Sequence, residues 1–243
     1  MFNFTIMKKT ATKEIVARIN EINGVLSTKL HGKTYEKLNE FYTELGDIAQ
    51  EYNLFDSPFE ENGKMGVKDI TGKVRVPALY KEYPVLYSYH TLRNLPIVAR
   101  NFNDKVALVA SDGTGRALCD FEYNLIYIEF GAEGFFVCVK EDGDNYIKGV
   151  LNSKGELVVP CEMDSVSEMI NNNSVIEKDG KIGFLIGDGT FIAPQYDDYD
   201  DENGVLKVLK DGVWGYISAD YEFIPEEDDE RMEKIVLLGL YES

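Results

Sequence analysis

A short pattern of turn, apolar strand and second turn recurs along this 243-residue chain, and it constrains the fold more than any other feature. The clearest copy is residues 210–225, KDGVWGYISADYEFIP. Asp211 and Gly212 suit a type I′ hairpin turn, because both tolerate the positive φ angles that it requires. A second turn at residues 218–220 leads to a third apolar run. The stretch therefore predicts a three-stranded antiparallel meander.

Four further copies appear when the chain is aligned on the small residue of the middle strand. In chain order these small residues are Gly66, Ala107, Gly149, Gly183 and Gly215. In four copies a turn-forming pair ends three positions earlier, as Asn62-Gly63, Asn103-Asp104, Asp179-Gly180 and Asp211-Gly212. The third copy instead has residues 142–145, DGDN, which predict a longer loop. A small residue within a strand leaves a gap that a neighbouring aromatic ring can cover.

A proline closes most copies, and we expect it to end the third strand because proline cannot donate to a sheet ladder. The prolines are Pro77, Pro160, Pro194 and Pro225, and Cys119 takes this place in the second copy. Successive small residues are 41, 42, 34 and 32 positions apart. The longer early copies have room for a fourth strand, such as residues 84–89 or 125–130.

These units resemble the WG-repeat family (also called KWG repeats), whose units read DGKWGYIDKxGxxVIPxxYD. Residues 210–225 fit this pattern closely, residues 179–197 fit nearly as well, and the similarity covers roughly residues 61–228. Only the last copy keeps the signature tryptophan, Trp214, and the equivalent residues are Met65, Val106, Lys148 and Ile182. The resemblance implies a bacterial binding or scaffolding array without catalytic activity.

The first 55 residues have helical rather than strand-like periodicity. Ile15, Ile19 and Ile22 are spaced by four and three, which predicts one helix that Gly24 ends. A second apolar stripe consists of Tyr35, Leu38, Phe41, Leu45, Ile48 and Tyr52. Two amphipathic helices make a helical hairpin, and its open face needs a partner. We expect it to dock onto the first repeats or to form a homodimer.

The predicted fold is therefore mainly β with an N-terminal helical hairpin, in the α+β class. Residues 1–55 form the hairpin, residues 56–228 the array of three-stranded meanders, and residues 229–243 a capping segment. That last segment contains the apolar run at residues 235–238, IVLL. Repeats of this size favour an open, twisted array over a closed propeller.

The net charge of −18 and the pI near 4.5 argue against a surface that binds nucleic acid or an anionic membrane. Residues 1–55 contain seven basic and seven acidic side chains, so the excess lies beyond them. Residues 197–202 and 226–230 are rich in carboxylates. We interpret both as solvated connecting loops, because the residue order of an EF-hand calcium loop is missing.

No catalytic, cofactor-binding or metal-binding residue is predicted. The loop at residues 111–116, SDGTGR, resembles a phosphate cradle but occupies the second turn of a repeat rather than a strand–helix junction. His31 and His90 have no companion at metal-ligand spacing. Three cysteines are too few for a disulfide framework, and no signal peptide or membrane span is evident, so we expect a cytoplasmic protein.

Aromatic side chains are the best candidates for contacts with a partner, because tyrosine and tryptophan are enriched at interfaces. The candidates are Tyr83, Tyr87, Tyr89, Trp214 and Tyr216. Packing within the sheets explains the tyrosines equally well, and we expect Trp214 to anchor the core of the last unit.

Three functions remain open from the sequence. The first is a non-catalytic protein-interaction or scaffold module that presents an acidic β-repeat surface. The second is an acidic mimic of nucleic acid that inhibits a DNA- or RNA-binding protein. The third is a carbohydrate-binding protein or glycan hydrolase, which would need two carboxylates roughly 5 to 10 Å apart in a cleft.

Overall fold

The structure is a computed structural model that describes residues 13–27, 35–52, 56–69, 72–85, 95–127, 134–167, 173–202, 205–218 and 220–226. The chain divides into two compact units. The first consists of residues 1–29, 34–127 and 153–156, and the second of residues 30–33, 128–152 and 157–243.

Two helices occur where the apolar periodicity predicts them, α1 (Lys13–Ser27) and α2 (Tyr35–Tyr52). Arg18 joins them, because its Nε and Nη2 atoms each donate to the Glu44 carboxylate at 2.7 Å. The prediction that Gly24 ends the first helix is wrong. The helix continues to Ser27, since a glycine costs an interior helical position only about 1 kcal/mol. Neither described helix is long and apolar enough to cross a membrane.

The first unit contains two antiparallel three-stranded sheets. One consists of β1 (Ser57–Glu61), β2 (Lys64–Lys68) and β3 (Val74–Tyr80). The other consists of β4 (Glu82–Val85), β5 (Ile97–Arg100) and β6 (Val106–Val109), and the short β7 (Leu125–Tyr127) follows. The predicted middle strands of the first two copies are therefore β2 and β6.

The second unit contains three antiparallel meanders. The first is formed by β8 (Phe135–Asp142), β9 (Asn145–Asn152) and β10 (Leu157–Met163). The second is formed by β11 (Ser165–Val166), β12 (Asn173–Lys178), β13 (Lys181–Ile186) and β14 (Phe191–Tyr196). The last sheet is formed by β15 (Asp198–Glu202), β16 (Val205–Lys210), β17 (Val213–Ile217) and β18 (Phe223–Pro225).

The mainly β, antiparallel fold class is confirmed, and none of the described sheets closes into a barrel. The strand count needs a correction. The two last copies are short, yet β11 and β15 make their sheets four-stranded. The added strand is the first of its sheet, and it is formed by the connector that follows the preceding copy's third strand.

The hairpin turns follow the predicted chemistry in three copies. Asn62, Asp179 and Asp211 have φ angles of 53°, 51° and 52°, and a glycine with positive φ follows each of them. The longer loop predicted for the third copy is wrong, because Asp142 pairs directly with Asn145. Gly143 has φ 61° at the first central position of this two-residue turn, so the additional residues lengthen β8 and β9.

The longer loop belongs to the second copy instead. Arg100 pairs with Val106, which leaves residues 101–105 in the connection. The Asn101 side chain accepts hydrogen bonds from the backbone N–H groups of Asn103 and Lys105, at 2.9 and 3.0 Å. The tip is therefore fixed by a side chain rather than by an Asn-Gly pair.

The prolines sit in bulges, so the prediction that each ends a third strand holds only for Pro225, the last residue of β18. Phe184 pairs with Ile192 and Ile182 with Tyr196, so two steps along β13 correspond to four along β14. The same shift occurs between β2 and β3 and between β9 and β10. The prolines of these bulges are Pro77, Pro160 and Pro194. A bulged residue does not have to donate a hydrogen bond to the neighbouring strand. Proline, which has no backbone N–H, is therefore tolerated there.

The bulge explains the small residue of the middle strand. A Cβ atom on Gly183 would lie 2.4 Å from the Ile192 carbonyl oxygen and 2.6 Å from the Pro194 nitrogen. The predicted aromatic cover occurs in two copies, where the rings of Phe59 and Phe223 lie over Gly66 and Gly215. At Gly149 and Gly183 the bulged backbone itself fills the space.

A carboxylate after the bulge holds the next hairpin turn in the second unit. Asp164 follows β10, and its Oδ2 accepts the backbone N–H of Asp179 at 2.7 Å. Asp197 follows β14 in the same way and accepts the N–H of Asp211 at 3.2 Å. Lys181 also pairs with Asp197, which lowers the pKa of that carboxyl group. Each connector therefore fixes the start of the sheet that follows.

The last two sheets of the second unit pack face to face. Their apolar core combines residues of β13 and β14 with residues of β16 and β17. The buried members are Phe184, Ile192, Tyr196, Leu206, Val208 and Ile217. Since side chains alternate along a strand, the neighbours of Val208 and Ile217 lie on the opposite side of the last sheet.

Candidate functional site

The opposite side of the last sheet, here called the outward face, carries an aromatic and charged cluster. Its residues are Lys207, Leu209, Trp214, Tyr216, Ile224 and Glu226. Lys207 of β16 pairs with Tyr216 of β17, and Tyr216 pairs in turn with Ile224 of β18. Alternation along β17 thus places Trp214 and Tyr216 side by side.

Lys207 organises this cluster. Its Nζ atom lies 5.6 Å from the ring centroid of Trp214 and 5.7 Å from that of Tyr216, within the range of cation–π attraction. The same atom lies 3.1 Å from Glu226 Oε1, and this hydrogen bond raises the pKa of the lysine. The face therefore combines two aromatic rings with a lysine–glutamate ion pair.

The structure brings two of the five predicted contact residues together, Trp214 and Tyr216. Tyr83 lies in the first unit, where its hydroxyl donates to the Met65 carbonyl oxygen at 3.1 Å. Its ring meets that of Tyr80 edge-on at 6.3 Å, and burial raises its pKa. Tyr87 and Tyr89 lie outside the described residues.

The carboxylate-rich residues 198–202 form a strand, β15, so the interpretation as a connecting loop is wrong. Asp198 pairs with Leu209 and Asp200 with Lys207, both in register along β16. Aspartate has low strand propensity, but an adjacent strand that offers a full set of backbone partners overrides it. β15 is an edge strand, and an acidic edge opposes accidental strand pairing. Of residues 226–230, only Glu226 is described.

The excess negative charge is confined to one part of the chain. Residues 1–127 contain 16 basic and 16 acidic side chains, whereas residues 128–243 contain nine basic and 27 acidic ones. The second range therefore accounts for the entire −18, and its start coincides with the division between the two compact units. The carboxylates that the structure describes in this range are exposed, including Asp142, Asp179, Asp198, Asp200 and Asp211.

The remaining sequence candidates occupy structural positions. In the loop at 111–116, Asp112 Oδ1 accepts hydrogen bonds from the backbone N–H and the hydroxyl of Thr114, at 2.9 and 2.6 Å. Cys119 Sγ accepts the N–H of Leu108 at 3.4 Å, and burial raises the pKa of this thiol. Within the described ranges, no three His, Cys, Asp or Glu side chains gather as possible metal ligands. His31 and His90 lie outside these ranges.

A buried charged group in the first unit was not predicted. Arg75 of β3 is 7% exposed, and its Nη1 lies 3.9 Å from Asp56 Oδ2. Its Nε and Nη2 atoms donate to the carbonyl oxygen and hydroxyl of Ser111, at 3.0 and 2.9 Å. The available signal was an arginine between two valines, VRV, in a predicted strand. These contacts tie β3 to Asp56 and to the loop at residues 111–116.

Comparison with protein families gives one match. Residues 149–181 match the family model described as WG containing repeat. This range begins at the small residue of the third copy and ends just after the hairpin turn of the fourth, so it spans the bulge and the connector. No curated protein sequence matches the chain significantly.

Proposed function

We propose that this WG-repeat chain is a non-catalytic protein-interaction module whose second unit presents an acidic β-repeat surface to a basic partner protein. The observation that carries the proposal is the confinement of the whole −18 charge to residues 128–243. If the charge served only solubility, we would expect it to be distributed over both halves of the chain.

The geometry of the carboxylates supports a surface rather than a catalytic cleft. They lie on the edge strand β15 and at the hairpin turns, where the backbone fixes their positions. Three of them lie in ion pairs, Lys178 with Glu162, Lys181 with Asp197, and Lys207 with Glu226. The range holds three times as many acidic as basic side chains, 27 against nine, so most of its negative charge has no basic counterpart within it. Fixed like charges create a field that accelerates the association of an oppositely charged protein.

The test compares two variants that each remove two exposed carboxylates. One is Asp198→Asn with Asp200→Asn on β15, and the matched control is Glu60→Gln with Glu61→Gln in the first unit. Binding partners are captured from the native host, identified by mass spectrometry and purified for kinetics. We expect the β15 variant to lower the association rate constant about tenfold at low salt, and the control to leave it unchanged.

The expected partner has a basic surface, and its binding weakens as salt is raised. An equal decrease of the association rate constant in both variants would contradict the proposal. So would a partner whose affinity does not change with salt concentration. The same acidic surface also suits a mimic of nucleic acid, and duplex DNA added as competitor separates the two readings. DNA that displaces the chain from its partner indicates that the partner's groove normally binds nucleic acid.

A further inference from the structure

Two of the three cysteines lie on the first sheet of the second unit. Cys138 belongs to β8 and is fully buried, whereas Cys161 belongs to β10 and is half-buried. β9 runs between these two strands. In a regular sheet the side chains of β8 and β10 would therefore be roughly 10 Å apart. Two thiols at that separation could not react with each other.

Gly149 of β9 removes this separation. Cys138 pairs directly with Gly149, so a side chain on Gly149 would stand on the same face as Cys138, about 4.5–5.5 Å from it. The bulged β10 fills the space that the glycine leaves. A Cβ atom on Gly149 would lie 2.7 Å from the Cys161 Cα, so the backbone of Cys161 itself lies over the glycine. The bulge thus carries Cys161 onto the face of the sheet that holds the Cys138 side chain.

The Cys161 thiol extends from this position toward β8. Its Sγ atom lies 3.8 Å from the carbonyl oxygen of Cys138 and 3.8 Å from that of Ile147. These two oxygens belong to neighbouring strands, so the sulfur lies above the boundary between β8 and β9 rather than at the outer edge of β10. Cys138 and Cys161 are therefore neighbours on one face, in spite of the strand between them.

We propose that Cys138 and Cys161 are a site of reversible oxidation, at which a peroxide converts the two thiols into a disulfide bond across β9. Cys161 reacts first because solvent reaches it and does not reach Cys138. Its sulfur attacks hydrogen peroxide, so that an S–O bond forms and the O–O bond breaks. The sulfur is oxidised by two electrons, the peroxide is reduced, and a sulfenic acid and one water molecule result.

The second step closes the bond. Cys138 Sγ attacks the sulfur of the Cys161 sulfenic acid, an S–S bond forms and the S–O bond breaks. The hydroxyl group leaves with the Cys138 proton as a second water molecule. Two thiols and one peroxide thus give one disulfide and two water molecules, and a dithiol reductant reverses the reaction.

The disulfide joins the first and third strands of the sheet and fixes the bulge in β10. Asp164, which holds the hairpin turn of the next sheet, follows Cys161 by three positions. Oxidation therefore acts on the joint between the first two sheets of the second unit. This bond is a reversible modification rather than a structural framework, and it does not depend on the proposed partner surface.

Mass spectrometry of the full-length protein tests the pair. The folded chain is treated with hydrogen peroxide, catalase removes the excess, and the thiols are alkylated in denaturant. We expect the loss of two of the three thiols and a peptide link between Cys138 and Cys161 that dithiothreitol removes. The matched control is Cys119→Ser in the first unit, which should lose both of its remaining thiols as the unchanged chain does.

The test variants are Cys161→Ser and Cys138→Ala. Cys161→Ser should keep both remaining thiols, whereas Cys138→Ala should gain oxygen at Cys161 and form no bridge. The peptide map of the unchanged chain decides the question even if Cys138→Ala does not fold. Three intact thiols after peroxide treatment would overturn the proposal, as would oxygen addition at Cys161 of the unchanged chain with Cys138 still alkylated. A bridge between two chains, seen as a dimer that dithiothreitol dissociates, would overturn it as well.

Discussion

At the scale of single residues, the repeat depends on one close crossing of two strands. The bulged β14 passes over Gly183 so closely that no side chain fits between them. The atoms in the way belong to the backbone of Ile192 and Pro194, which cannot move aside as a flexible side chain does. Glycine at this position is therefore a steric requirement of the bulge.

Gly183→Ala should destabilise the protein by about 2–4 kcal/mol, because the backbone of β13 or β14 has to shift. Chemical unfolding followed by Trp214 fluorescence measures the loss. The matched control is Gly180→Asn in the adjacent turn. There φ is +72° and a Cβ meets nothing within 4 Å, so we expect less than about 1 kcal/mol. Equal losses in the two variants would refute the steric explanation.

Local chemistry explains which residues could be predicted from the sequence. The turn pairs at Asn62, Asp179 and Asp211 were predicted correctly, because a tolerance of positive φ depends only on the residue and its neighbour. The burial of Arg75 was not, because its partner Ser111 lies 36 positions away and belongs to another copy. Pairing at that distance depends on how the copies stack, which no local pattern encodes.

At the scale of elements, the periodicity of apolar residues predicted the middle strands and both helices. The prediction failed where a strand forms only because a neighbouring strand offers backbone partners. β15 is acidic and becomes a strand only because β16 offers a complete set of backbone partners. The bulges were missed for the opposite reason. Their prolines are typical of strand ends, but the chain resumes pairing at Tyr196 and Met163.

Contacts between second turns link successive sheets of the second unit. The Tyr221 hydroxyl, in the turn before β18, donates to Asp188 Oδ2 at 2.6 Å, in the turn before β14. Tyr221 has φ 63°, a left-handed conformation that a tyrosine rarely adopts, so its position is imposed by its surroundings. The bond to the carboxylate raises the pKa of the phenol.

Tyr221→Phe should cost about 1 kcal/mol of stability at neutral pH, the worth of one exposed hydrogen bond. The folded pKa lies above the unfolded value of about 10, so this contribution is complete below pH 10 and is lost as pH rises through the folded pKa. Urea unfolding at several pH values should show the two proteins converging in alkali. Tyr146→Phe, at a side chain that is 61% exposed, is the control. A constant difference across this range would argue against the hydrogen bond.

At the scale of the whole molecule, charge and architecture divide the chain at the same place. Residues 1–127 are neutral overall, whereas residues 128–243 carry the full −18. The sequence indicated the direction of this asymmetry, since residues 1–55 were already balanced, but the division itself became meaningful only with the two units. At the candidate surface, the sequence singled out Trp214 and Tyr216, and their role as partner contacts stays a prediction. The acidic edge strand beside them was mistaken for a loop.

Repulsion within the second unit should make its stability depend on salt. Raising NaCl from about 20 mM to about 500 mM shortens the Debye length several-fold and screens exposed carboxylates. Relief of about 1 kcal/mol corresponds to a rise in Tm of roughly 4 °C for a unit of this size, read from Trp214 emission. Asp198→Asn with Asp200→Asn should show a smaller rise. A Tm that stays the same at both salt concentrations would mean that the carboxylates do not destabilise this unit.

The connector carboxylates also bear on how such a chain changes in length. Asp164 and Asp197 each belong to the end of one sheet but hold the hairpin turn of the next. A duplicated segment of 32 or 34 residues, the spacing of the last three copies, therefore includes the carboxylate that fixes the hairpin turn of the copy after it. Genetic duplication or deletion of one segment can add or remove a whole sheet without inventing a new interface, which makes the number of repeats easy to vary in evolution.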